Sequence, residues 1–160
     1  MAMIYPVKAR RAVLVLLATI LMVPAARAIQ QAPGRAPRFT YAGGTQGLRS
    51  GCAGELELTH TSMTFACPEG SITIPFRSVV LMQYRPKVSR SITQMKLPWK
   101  VKPSGSGRKK NLFFTVLYRE DRRLRAMVLK VRPDDMRPYL AQIELSTGKR
   151  IHVWDYRGFE

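Results

Sequence analysis

Residues 52–67 read CAGELELTHTSMTFAC, and the fold is most legible there. Apolar and polar residues alternate on both sides of Thr59-His60, the period of two half-buried strands joined by a turn. Folding the segment evenly about that centre sets Leu58 against Thr61, Leu56 against Met63, Gly54 against Phe65 and Cys52 against Cys67. All of these lie on one strand face. The register that buries the leucines therefore also brings the two cysteines together, and a Cys52–Cys67 disulfide is predicted. Two paired cysteines belong to an oxidising compartment.

The N-terminal residues agree with that placement. Lys8, Arg10 and Arg11 precede a thirteen-residue apolar run, AVLVLLATILMVP at 12–24, which ends in Ala26-Arg27-Ala28. A basic start, a short apolar core and a small-x-small end form a signal peptide over residues 1–28, and the run is short for a membrane span. The expected location is periplasmic or extracellular, with an uncleaved N-terminal membrane anchor as the alternative. Residues 29–47, rich in Gln, Pro, Gly, Ala and Arg, read as a flexible leader, and residues 48–160 as a single domain. The whole chain carries 27 basic and 10 acidic residues; without the four basic residues of 1–28 a net charge of +13 remains. Such an excess favours acidic polymers, anionic lipid or acidic proteins as partners and says nothing about fold.

Downstream of Cys67, Ile72, Ile74 and Phe76 alternate with polar residues as a third strand, and residues 79–84 make a fourth apolar run. A short strand is expected over residues 92–99, followed by loop through Pro103 and the Ser-Gly tract at 104–107. Residues 112–118, LFFTVLY, are apolar on both faces and return through a polar turn as residues 124–131, a second hairpin. Pro133-Asp134-Asp135 opens a helix with the stripe Met136, Tyr139, Leu140, Ile143 and a stop at Gly148; Pro138 is expected within its first turn. Residues 151–154 add a last short strand. The fold class that follows is α+β, mostly β: a bent antiparallel sheet or small barrel capped by one C-terminal helix.

The runs SITIPFRSVVLMQY, KKNLFFTVLYRED and RAMVLKV, with a helix ending in STGKRI, resemble a pleckstrin-homology-like (PH-like) or GRAM-like domain over residues 52–151. The resemblance implies a seven-stranded bent barrel plugged by the C-terminal helix, a scaffold that binds lipids or proteins and is rarely catalytic. Phosphoinositide recognition does not transfer. The first hairpin loop is Thr59-His60-Thr61 instead of basic, and the helix lacks the family's tryptophan, Trp154 lying beyond it.

Catalysis requires a nucleophile, a base and an orienting group within reach of one another. The two histidines fall on a hairpin tip, His60, and near the chain end, His152; no nucleophile elbow or phosphate-binding glycine loop is present. Glu55 and Glu57 point outward from the first hairpin, and the cysteine and histidine spacing suits no zinc site. The chain is therefore read as a non-enzyme, without metal or cofactor. The positive lead is a basic stretch: residues 70–119 hold no acid, and Lys96, Lys100, Lys102, Arg108, Lys109 and Lys110 cluster around Trp99. Cations beside an aromatic anchor suit an anionic surface, and export argues against nucleic acid. The expected function is an exported, non-catalytic binding module that contacts an anionic lipid, an envelope polymer or an acidic protein through this basic loop. The alternative is a structural or accessory subunit of an envelope complex that binds by strand-edge pairing, with an enzyme of unknown class as a minor third reading.

Overall fold

The two hairpins read from the sequence are halves of one sheet. In the computed structural model, residues 38–105 and 111–153 are described; the segment 1–28, expected to be a signal peptide, lies outside them. Eight strands are arranged in the order β4-β3-β2-β1-β7-β6-β5-β8. They are β1 (Phe39–Gly44), β2 (Ala53–Leu58), β3 (Ser62–Cys67), β4 (Gly70–Pro75), β5 (Val79–Arg85), β6 (Leu112–Glu120), β7 (Arg123–Val131) and β8 (Ile151–Val153). Strands β1–β4 and β5–β7 are two meanders joined along the β1–β7 seam, where Thr40 pairs with Lys130 and Tyr41 with Leu129. The helix α2 (Pro133–Thr147) carries the chain from β7 to β8, which lies parallel to β5 at the far edge. The sheet is thus open and has eight strands, where the family resemblance implied a closed seven.

The structure corrects several expectations about particular segments. The stretch 29–47 is not leader throughout: Phe39–Gly44 is a central strand, and Phe39 and Tyr41 are fully buried. The first hairpin turns about His60-Thr61, one residue later than its expected centre, pairing Leu56 with Phe65 and Leu58 with Met63. Thr59 sets this turn. Its N–H donates to the Ser62 carbonyl at 2.9 Å, and its Oγ1 accepts from the N–H groups of Thr61 (3.3 Å) and Ser62 (3.1 Å). The slip is two residues in register, so every side chain keeps its face. Lastly, residues 92–99 are not a strand: a short helix α1 (Arg90–Thr93) is followed by irregular chain.

One face of the sheet and α2 share the main core, in which Phe39, Phe65, Ile74, Met82, Phe114, Met127 and Leu129 meet Met136 and Ile143 of the helix. Phe39 and Tyr139 pack edge to face at 5.1 Å. The opposite face is covered at Leu117 and Ala126 by Ile92, with Val88, Leu97 and Trp99 around it. Burial on both sides explains why LFFTVLY shows no polar face. Helix α2 starts with Pro133 and the acidic pair Asp134 and Asp135, and stops at Gly148, whose φ of 65° suits glycine. Pro138 sits inside the helix at an exposed position, past the first turn expected for it. No helix among the described residues is long and apolar enough to cross a membrane.

The β6–β7 turn offers a stability test. Glu120 pairs with Arg123, leaving Asp121 (φ 49°) and Arg122 (φ 61°) as two left-handed turn residues. Such turns favour Asn or Asp followed by Gly, because a side chain at the second position is strained. Arg122→Gly is expected to stabilise the domain by about 0.5–1 kcal/mol, seen as a Tm a few degrees higher. An unchanged or lower Tm would mean that the strain is relieved elsewhere.

Candidate functional site

The Cys52–Cys67 disulfide is formed, with its Cα atoms 6.1 Å apart. Continuing the β2–β3 register brings Gly54 opposite Cys67, so Cys52 reaches its partner diagonally from just before β2. Its Cys67 half lies at the start of the β3–β4 turn, which also holds Glu69. Glu69 accepts from the Arg49 backbone N–H at 3.0 Å and pairs with that guanidinium, also at 3.0 Å. The pair is exposed and contributes little; the covalent link dominates this corner.

The basic stretch forms a strap over the outer face of the sheet. Ile92 is fully buried, and Leu97 and Trp99 are partly buried against the same patch. Between them the chain makes narrow turns: the Leu97 N–H donates to the Met95 carbonyl at 2.7 Å and the Trp99 N–H to the Leu97 carbonyl at 2.8 Å. The strap then seats on the end of β1. Gly44 donates to the Val101 carbonyl at 2.8 Å, and its own carbonyl accepts from Lys100 (3.0 Å) and Val101 (3.1 Å). Only glycine permits this approach. A Cβ on Gly43 would lie 2.7 Å from the Val101 oxygen and 2.9 Å from the Pro103 nitrogen.

Lys96, Lys100 and Lys102 are exposed on this strap, and none is in an ion pair among the described residues. Trp99, expected as a surface anchor beside them, turns inward; its Nε1 is buried and has no hydrogen-bond partner among the described residues. The indole is thus a wedge that fixes the strap, and the lysines are what the strap presents. Arg108, Lys109 and Lys110 lie outside the described residues.

A buried polar group supports the seat from beneath. The Tyr41 hydroxyl donates to the Gln46 carbonyl at 3.1 Å, and Gln46 Nε2 donates to the Tyr118 hydroxyl at 2.9 Å. Burial pushes the Tyr41 phenol up to about 12, with Tyr118 adding to the rise and the Gln46 bond opposing it. Burial likewise raises Tyr118. Both therefore stay neutral through the physiological range and hold the β1 end in place.

His60 and His152 are both exposed, as are Glu55 and Glu57. Among the described residues no three His, Cys, Asp or Glu side chains gather where a metal ion could be shared. Sequence reasoning missed Gly43 and Gly44 as the seat of the strap. The adjacent glycines were the only signal, and the carbonyls they accommodate come from residues distant in the chain. No protein-family model matches this sequence, and no curated protein matches it either.

Proposed function

We propose that this chain is an exported, non-catalytic binding module with a PH-like scaffold, which engages an anionic envelope surface through its basic strap. One observation carries the reading: the strap is pinned by Ile92, Trp99 and the Gly44 hydrogen bonds, while Lys96, Lys100 and Lys102 stay exposed with no carboxylate partner among the described residues. A fixed backbone spares the ordering entropy that a loose basic loop would lose on binding. Arg108, Lys109 and Lys110 follow in sequence and would add to the charge. The basic, apolar N-terminus and the disulfide support an oxidising compartment outside the cytoplasm.

Binding of the secreted protein to vesicles with and without anionic lipid tests this. Affinity is expected to require anionic lipid and to fall steeply as salt rises from about 0.05 M to about 0.5 M. The triple variant K96E/K100E/K102E is expected to lose binding by more than about 100-fold, roughly 1 kcal/mol for each positive charge removed plus the repulsion of the carboxylates that replace them, with Tm unchanged. Undiminished binding by the variant would refute the reading. Salt-insensitive association with an envelope protein would instead favour pairing at a sheet edge, β4 or β8.

A further inference from the structure

Three cations meet at a second place, on the end of the β1–β7 seam. Thr40 pairs with Ala53 on one side and Lys130 on the other, so these residues stand abreast across β2, β1 and β7. They occupy the face opposite Phe39, Tyr41, Leu129 and Val131. Arg38 directly precedes β1 and Arg132 directly follows β7; because the two strands are antiparallel, both arginines reach the same end. Asn111 arrives beside them, since Leu112 pairs with Val131. Together with Asp135 these residues line a cleft of about 360 Å³.

The charges in this cleft do not balance. Asp135 spends both carboxylate oxygens on Arg132, Oδ2 accepting from Nε at 2.8 Å and Oδ1 from Nη2 at 3.0 Å. Arg38 and Lys130 have no ion-pair partner among the described residues, and Glu55 on β2 forms no ion pair with either. Two positive charges lining one cleft thus have no acidic partner among the described residues.

We infer that this cleft binds a phosphate group, as the free ion or as a monoester on a headgroup or sugar. A phosphate monoester carries about −1.5 to −2 near neutrality, the charge that the cleft leaves open. Guanidinium groups meet phosphate oxygens with paired donors, and an ammonium adds a compact charge. Thr40 and Asn111 add neutral polar groups at the rim. The site is separate from the strap lysines and stands or falls independently of them.

Titration of the secreted protein, followed by amide chemical shifts, tests the assignment with inorganic phosphate, glycerol 3-phosphate and acetate at matched ionic strength. Saturable shifts at Thr40, Asn111 and Lys130 are expected with both phosphates and not with acetate. Tighter binding of glycerol 3-phosphate would identify the ester as the natural form; equal or weaker binding would identify the free ion. The double variant R38M/K130M is expected to weaken phosphate by about tenfold or more, while K96E/K100E/K102E leaves it unchanged. Lys130→Gln alone, a milder change, should show a smaller loss in the same direction with Tm retained. Absence of saturation at millimolar phosphate, equal shifts with acetate, or loss only in the strap variant would overturn the inference.

Discussion

Valine at Gly44 is expected to leave no stably folded domain under conditions where the parent is fully native. A Cβ at this position would collide with the Ala126 carbonyl oxygen and lie 2.6 Å from the Tyr41 hydroxyl. Neither neighbour can retreat cheaply. The Ala126 carbonyl accepts from the Thr45 N–H at 2.9 Å, and the Ala126 N–H donates to Thr45 Oγ1 at 3.2 Å, so moving it breaks the β1–β7 seam. Tyr41 is fully buried and bonded to Gln46. The same substitution unseats the strap, whose contact with β1 is the Gly44–Val101 bridge. Overpacking and lost buried hydrogen bonds at one point place the effect above about 4 kcal/mol, in the range that unfolds ordinary domains. Gly47→Val is the matched control. A Cβ on that glycine would meet nothing within 4 Å, and its replacement should shift stability by less than about 0.5 kcal/mol. Urea denaturation of both variants separates the outcomes; a cooperative transition for Gly44→Val near the parental midpoint would refute the close-packed seam.

Removing the disulfide is expected to be the next largest loss. The bond joins residues 15 apart in sequence, and closing a loop of that length is worth about 3 kcal/mol of unfolded-chain entropy. The hairpin it spans already has a tight turn, so part of the closure persists without it and the loss should fall somewhat below that figure. The paired variant C52A/C67A removes the bond without leaving stray thiols. Cys52 is 8 % exposed and belongs to the main core, so alanine there also gives up some packing. Guanidinium unfolding of the variant, compared with the oxidised and reduced parent, should give a loss in both, slightly larger in the variant. Equal stability of all three would show that the β2–β3 register holds the corner unaided.

Much of this architecture could be read in advance because it is local. The LFFTVLY strand, its polar turn and its return as β7 are contiguous, and the helix over Pro133–Thr147 carries both its start and stop residues. The disulfide survived a wrong hairpin centre because a two-residue slip keeps both cysteines on one face. What escaped was non-local. Phe39 and Tyr41 alternate as a strand, but Gly43 and Gly44 made the segment look like linker, since their neighbours Val101, Pro103 and Ala126 are far along the chain. The apolar residues 92, 97 and 99 suggested extended chain, whereas they pack onto Leu117 and Ala126 from a helix and narrow turns. The cations of the cleft come from two distant strand ends, Arg38 and Lys130-Val131-Arg132, and neither is a cluster in sequence.

Joining β1 to β7 also sets a timetable for assembly. Thr40 must wait for Lys130, ninety positions later, before the central pairing can exist. The early meander can knit itself together as it emerges, with its sulfur bridge as a local stitch, yet one side of β1 stays bare until nearly the whole chain has been made. Strand β6, greasy on both sides, needs the strap that precedes it and the helix that follows it to arrive together. High contact order of this kind slows folding and prolongs exposure of sticky intermediates. Chains shortened before Ile143 should therefore fail by aggregating rather than by settling into a smaller native form.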